Sequence, residues 1–180
     1  MILRKINAGL SLLTSLLFLD HAMFLSVWML SRCSIEKDTN TMPRILMAVT
    51  LIHAVLSIVL LILGRKGADK SSCKEYPQMN ISTYVQRITG IVMILLLALH
   101  LAGAKNHFQP KMLHAVLHPV FFGVCLAHIG VSTGKAMVTL GIGNAKAVKI
   151  VDIAMKILCA VTFVASIIGF YLCLFVGVAR

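Results

Sequence analysis

Five stretches of this 180-residue chain, at about 6–31, 44–64, 84–104, 112–134 and 153–178, are apolar over the length a helix needs to cross a bilayer. That length is roughly 20 residues, set by the thickness of the hydrocarbon core. The segments between them are short and punctuated. SRCSIEKDTNTMP ends in Pro43, GRKGADKSSCKEYPQMN carries Pro77, AKNHFQPK contains Pro110, and GIGNAKAVKIVD closes the fourth span with Gly141, Gly143 and Asn144. Apolar residues make up 59% of the chain and charged residues 13%, so no polar stretch is long enough to bury a core of its own. The expected fold is an all-α integral membrane domain over 1–180, a bundle of five transmembrane helices.

A net charge of +11 raises the question of nucleic acid. The basic residues sit in short loops between greasy spans, where they act as topology signals and contacts for anionic membrane lipid, so no nucleic-acid partner is expected. One side of the membrane collects 11 Lys and Arg, the other 6. The expected arrangement is multi-pass, with the N-terminus cytoplasmic and the C-terminus external. Arg4 and Lys5 precede an apolar run as in a signal peptide, but the run reaches Leu30 and carries Asp20 and His21, so it reads as a retained first span. The cysteines at 33, 73, 125, 159 and 173 form no C-x-x-C, and are expected to be small buried apolar residues rather than cluster or haem-attachment ligands.

The chemistry lies in the histidines. His100 follows nine uninterrupted apolar residues, with Arg87 thirteen positions back. An ionisable residue at such depth is a functional-site hypothesis by default. The first span holds His21, the second His53, the third His100 and the fourth His128, with no deep histidine in the fifth. Four deep imidazoles on four helices make two pairs, and a facing pair can ligate a flat macrocycle from both sides. Haem iron held that way has no open position, and its natural work is electron transfer. Gly90 and Gly103 flank His100, and Gly123 and Gly130 flank His128, positions where a missing side chain eases the approach of a macrocycle. With lysines and arginines as depth markers, His21 and His100 both fall in the external half, which pairs them; His53 with His128 then follows by elimination.

The motifs have a likeness. QRITG at 86–90, followed by His100, and FFGVCLAHIGVSTGKAMVTLG at 121–141 resemble segments of the single-chain, dihaem cytochrome b anchors of bacterial succinate dehydrogenases and fumarate reductases. LIHAVLSIVL at 51–60 and FLDHAMFL at 18–25 sit where that family keeps its other two ligands. The resemblance implies bis-histidine sites between helices for two b haems. His21 and His100 would be the axial iron ligands of the distal haem, and His53 and His128 those of the proximal one. It implies that Arg87 seats a propionate or braces the cytoplasmic face. There an iron–sulfur subunit docks, with a flavoprotein subunit beyond it. It also implies a quinone, menaquinone in the dihaem branch, as the electron partner in the membrane.

A quinone site needs an apolar slot and groups that exchange protons. The candidates towards the external end are Asp20, Glu36, His114 and His118. His114 and His118 are spaced i, i+4 and share a helix face, yet two imidazoles without a third ligand make a poor metal site. No nucleotide-binding or Ser–His–Asp motif is present, so the chain itself is not expected to perform dicarboxylate chemistry. Two rivals stand beside the electron-transfer reading. One is a haem-free transporter whose histidines relay protons. The other is a cytochrome b anchor for a different dehydrogenase.

Overall fold

The computed structural model describes residues 2–31, 41–66, 77–105 and 111–172. They form five helices: α1 (Ile2–Leu30), α2 (Thr41–Lys66), α3 (Pro77–Lys105), α4 (Lys111–Leu140) and α5 (Ala145–Tyr171). Each is long and apolar enough to cross a membrane. The helices alternate in direction. The end of the bundle where α1, α3 and α5 begin is called the near end below, and the opposite one the far end.

Three helix limits among the described residues differ from the expected spans by six residues or more. α3 begins seven residues before 84, with Pro77 at its first position, where the missing N–H costs nothing. α4 runs six residues beyond 134, and α5 starts eight residues before 153. Apolar length measures what hydrocarbon tolerates, whereas backbone hydrogen bonding continues into polar surroundings. Only 141–144 is left as the turn. There Ile142 N–H bonds the Met137 carbonyl and Gly141 N–H the Val138 carbonyl, with Gly141 at φ 75°. This pair of bonds closes a helix by a left-handed residue, a conformation that glycine adopts without a Cβ clash. Asn144 then caps α5, its side-chain oxygen accepting from the Ala147 N–H at 2.9 Å.

The core lies where α1, α4 and α5 meet. Leu19 and Ala22 of α1, Phe122, Leu126 and Ile129 of α4, and Cys159 of α5 form one buried cluster. Half of α4's span is buried, and none of α2's or α3's. α2 leans on α1 and α3 on α4, with little contact between α2 and α3. The buried face of α1 is mostly small: Ala8, Ser11, Ser15, Leu19, Ala22 and Ser26, at three- and four-residue steps. Small residues let helix axes approach in lipid, where dispersion contacts and hydrogen bonds replace the hydrophobic drive. The hydroxyls of Ser15 and Ser26 are satisfied. Ser15 donates to the Ser11 carbonyl, Ser26 to that of Ala22, and Ser26 also meets Ser166 of α5 at 2.6 Å. Cys125 and Cys159 are buried free thiols, as the sequence leads one to expect.

Candidate functional site: histidines of four helices

The first group sits towards the near end. The Nδ1 atom of His128 on α4 is 2.9 Å from the Thr89 hydroxyl on α3. The next residue, Gly90, lies so close that a Cβ there would stand 3.3 Å from His128 Cε1. Two turns towards the near end, Lys135 donates to the side-chain oxygens of Thr83 at 3.3 Å and Gln86 at 3.2 Å. Arg87 is exposed and within electrostatic reach of Lys135. Neither cation has a carboxylate partner among the described residues.

His53 of α2 belongs to the same group. Its ring rests against the main chain of Asn7 on α1, and it lies within electrostatic reach of His128. Ser57, one turn on, donates to the Asn7 side-chain oxygen at 3.1 Å. The Nδ1 atom of His53 is buried and has no hydrogen-bond partner among the described residues, and the Thr14 hydroxyl of α1 is in the same position. A buried polar atom without a partner costs about 1–3 kcal/mol, which invites a ligand.

The second group lies about 15 Å further on, the rise of the ten residues that separate His128 from His118. His100 of α3 and His118 of α4 have ring centroids 6.3 Å apart. Phe121 stacks on His100 at 5.1 Å, and Phe122 and Phe170 stack on His118 at 5.4 and 4.2 Å. His118 is thus buried inside the bundle, in a box of aromatic rings.

His53 and His128 therefore lie within electrostatic reach of each other. His100 has His118 as a neighbour, and His21, half-buried on α1, is engaged in contacts of its own. Asp20 points to the outer surface of the bundle with no hydrogen bond or ion pair to a described residue. Glu36 lies outside the described residues, as does the side chain of His114 on α4.

The glycines divide in an unexpected way. Gly90 faces His128 on the neighbouring helix α4, and not the His100 that follows it on its own helix. Gly123 and Gly130 face α5, where they meet Phe163 and Lys156. They border an apolar groove of about 410 Å³ between α4 and α5, so they ease helix packing and not the approach of a macrocycle to His128. Gly103 lies where side-chain surroundings are not described.

Sequence reasoning missed Thr89, Asn7, Lys135 and the aromatic box. A seven-residue register points to much of it. Asn7, Thr14 and His21 fall on one face of α1, Gln86, Met93 and His100 on one face of α3, and Phe121, His128 and Lys135 on one face of α4. Comparison with known proteins found no matching family model, no similar curated sequence and no similar solved structure.

Proposed function

We propose that this chain is a cytochrome b membrane anchor. In this reading it holds two b haems and carries electrons between a membrane quinone and an iron–sulfur and flavoprotein partner of the succinate dehydrogenase or fumarate reductase kind. The observation that carries the reading is that His53 and His128, from separate helices, lie within electrostatic reach of each other, beside a glycine cradle and a buried ring nitrogen with no partner among the described residues.

The residues present suit the group. Imidazole is the right donor for haem iron, and with two imidazoles the bound haem supplies one-electron transfer without an open site for oxygen. His53 and His128 would hold the near-end haem, His21 and His100 the far-end one. Arg87 and Lys135, two cations without described carboxylates beside them, would receive propionate groups. Phe121, Phe122 and Phe170 keep water from the far-end rings. The near end would face the cytoplasm and the soluble partners. The quinone, menaquinone in this reading, would exchange at the far end, where His118 is the described candidate for moving a proton.

Haem quantitation tests this. Purified wild type should contain two b haems, and His53→Ala and His100→Ala one each. A wild type without a reduced b-type spectrum, after expression with ample haem, overturns the reading.

One observation favours a second reading. Ser57–Asn7–His53 and Thr89–His128, with Gln86–Lys135 one to two turns away, line the near end with exchangeable protons. A haem-free proton relay would use such a line. Proton flux in liposomes without redox chemistry would mark it.

A further inference from the structure

Thr89 has one proton and three oxygen or nitrogen neighbours to share it with. Its Oγ1 lies 2.8 Å from the Val85 carbonyl oxygen, 3.2 Å from that of Gln86, and 2.9 Å from His128 Nδ1. Two oxygens approach to 2.8 Å only with a hydrogen between them, and the threonine hydroxyl supplies the one available. The Thr89 proton therefore points back into its own helix, towards the Val85 carbonyl. What Oγ1 offers His128 is a lone pair, so the hydrogen of that contact belongs to Nδ1. In a neutral imidazole a proton on Nδ1 leaves the lone pair on Nε2.

Gly90 completes the constraint. The His128 Cε1 carbon, which lies between the two ring nitrogens, would be 3.3 Å from a Cβ at Gly90. The ring thus lies close against α3 at the glycine while Thr89 holds Nδ1. We propose that Thr89 is a positioning residue: it fixes the tautomer and orientation of His128 so that Nε2 is presented as the metal-binding nitrogen. The part that concerns a metal rests on the haem reading above; the tautomer follows from the hydrogen bonds alone. The QRITG motif is thereby explained locally. Its hydroxyl and its glycine serve a histidine on the neighbouring helix, thirty-nine positions away in sequence.

A metal-ligating histidine is oriented and made more basic by the acceptor on its other nitrogen, and loss of that acceptor typically lowers metal affinity about 10–100-fold. The experiment compares full-length wild type, Thr89→Val and Thr89→Ser in detergent. Haem titration, redox potentiometry and electron paramagnetic resonance of the ferric state are read for each. Thr89→Val, which keeps the shape and loses the oxygen, should bind the near-end haem about 10–100-fold more weakly. Its midpoint potential should rise and its ferric signal shift, while the far-end haem stays unchanged and reports an intact fold. Thr89→Ser should restore all three. A Thr89→Val protein whose two haems match wild type in affinity, potential and signal overturns the proposal.

The tautomer is read separately on haem-free wild type by nitrogen NMR with labelled histidine. A proton on His128 Nδ1 supports the positioning role even if Thr89→Val does not fold, and a proton on Nε2 overturns it. A wild type that shows the Nδ1 proton but takes up no haem defeats the haem reading and leaves Thr89 positioning His128 for some other ligand.

Discussion

The Tyr171 hydroxyl on α5 donates to the main-chain carbonyl of Ala115 on α4, at 3.1 Å. Ala115 is the residue four before Pro119, which sits inside α4 and has no N–H to give back to that carbonyl. In lipid no water can take the place of the missing donor. The fifth helix therefore satisfies a bond that the fourth cannot make for itself. Tyr171→Phe should cost about 1–3 kcal/mol of unfolding free energy, the price of a buried acceptor left without a donor. Pro119→Ala returns the helical donor, and in that background Tyr171→Phe should cost less than about 0.5 kcal/mol. Unfolding in mixed detergent micelles, with the double-mutant cycle, measures both.

The α1–α5 contact rests on a hydroxyl pair and a glycine. Ser26 and Ser166 stand 2.6 Å apart, and a Cβ at Gly169 would lie 3.0 Å from Met29 Cβ and 3.3 Å from the Ser26 carbonyl oxygen. Hydrogen bonds between membrane helices couple by about 0.6 kcal/mol on average, because each partner finds another acceptor when the helices part. Ser26→Ala with Ser166→Ala should show a coupling of that size. Gly169→Ala should be worse, about 1–3 kcal/mol, since the near atoms are a Cβ and main chain that cannot swing away. The ranking fails if the serine cycle proves larger than the glycine effect.

Glycines at two faces of the bundle separate packing from cofactor binding. Gly90→Ala places a methyl 3.3 Å from the His128 ring, which must shift by a few tenths of an ångström and strain its bond to Thr89. Gly130→Ala meets Lys156 Cγ at 3.6 Å, an ordinary contact. Gly90→Ala should therefore lower the near-end haem content of the purified protein while Gly130→Ala keeps both haems. Equal haem loss in the two variants would mean that the glycines flanking His128 in sequence do serve the cofactor.

Membrane character, helix number and the deep histidines could all be read from the chain, because hydrocarbon thickness and the cost of buried charge act on each span alone. What could not be read is which faces meet. Gly123 and Gly130 adjoin His128 in sequence yet turn towards α5, and Thr89 adjoins Gly90 near His100's run yet serves His128. Side-chain direction repeats every 3.6 residues, so sequence neighbours diverge by 100° per step, and only the neighbouring helix decides their use. His118 shows the same limit. Its position near a span end marks it only as a candidate for proton exchange, whereas in the fold Phe122 and Phe170 enclose it. The starts of α3 and α5 were misplaced because Pro77 and Asn144 begin helices in polar surroundings that hydropathy does not register.

The far-end group sets the last prediction. His100 has two histidines that can share a haem with it: His21, which depth markers pair with it, and His118, whose ring centroid is 6.3 Å away. Metal–imidazole bonds of about 2 Å hold the centroids of two opposed rings roughly 6 Å apart, so separation alone admits His118. The environment argues otherwise. His118 is stacked on Phe170 at 4.2 Å and on Phe122 at 5.4 Å, an arrangement that a phenyl ring would reproduce. If His118 serves packing and proton exchange, His118→Phe should keep two haems and lose quinone turnover, whereas His21→Ala should drop to one. The opposite result, two haems in His21→Ala and one in His118→Phe, would move the far-end ligand from α1 to α4. Haem content measured per polypeptide distinguishes the outcomes, and the His53–His128 haem serves as the internal standard in both variants.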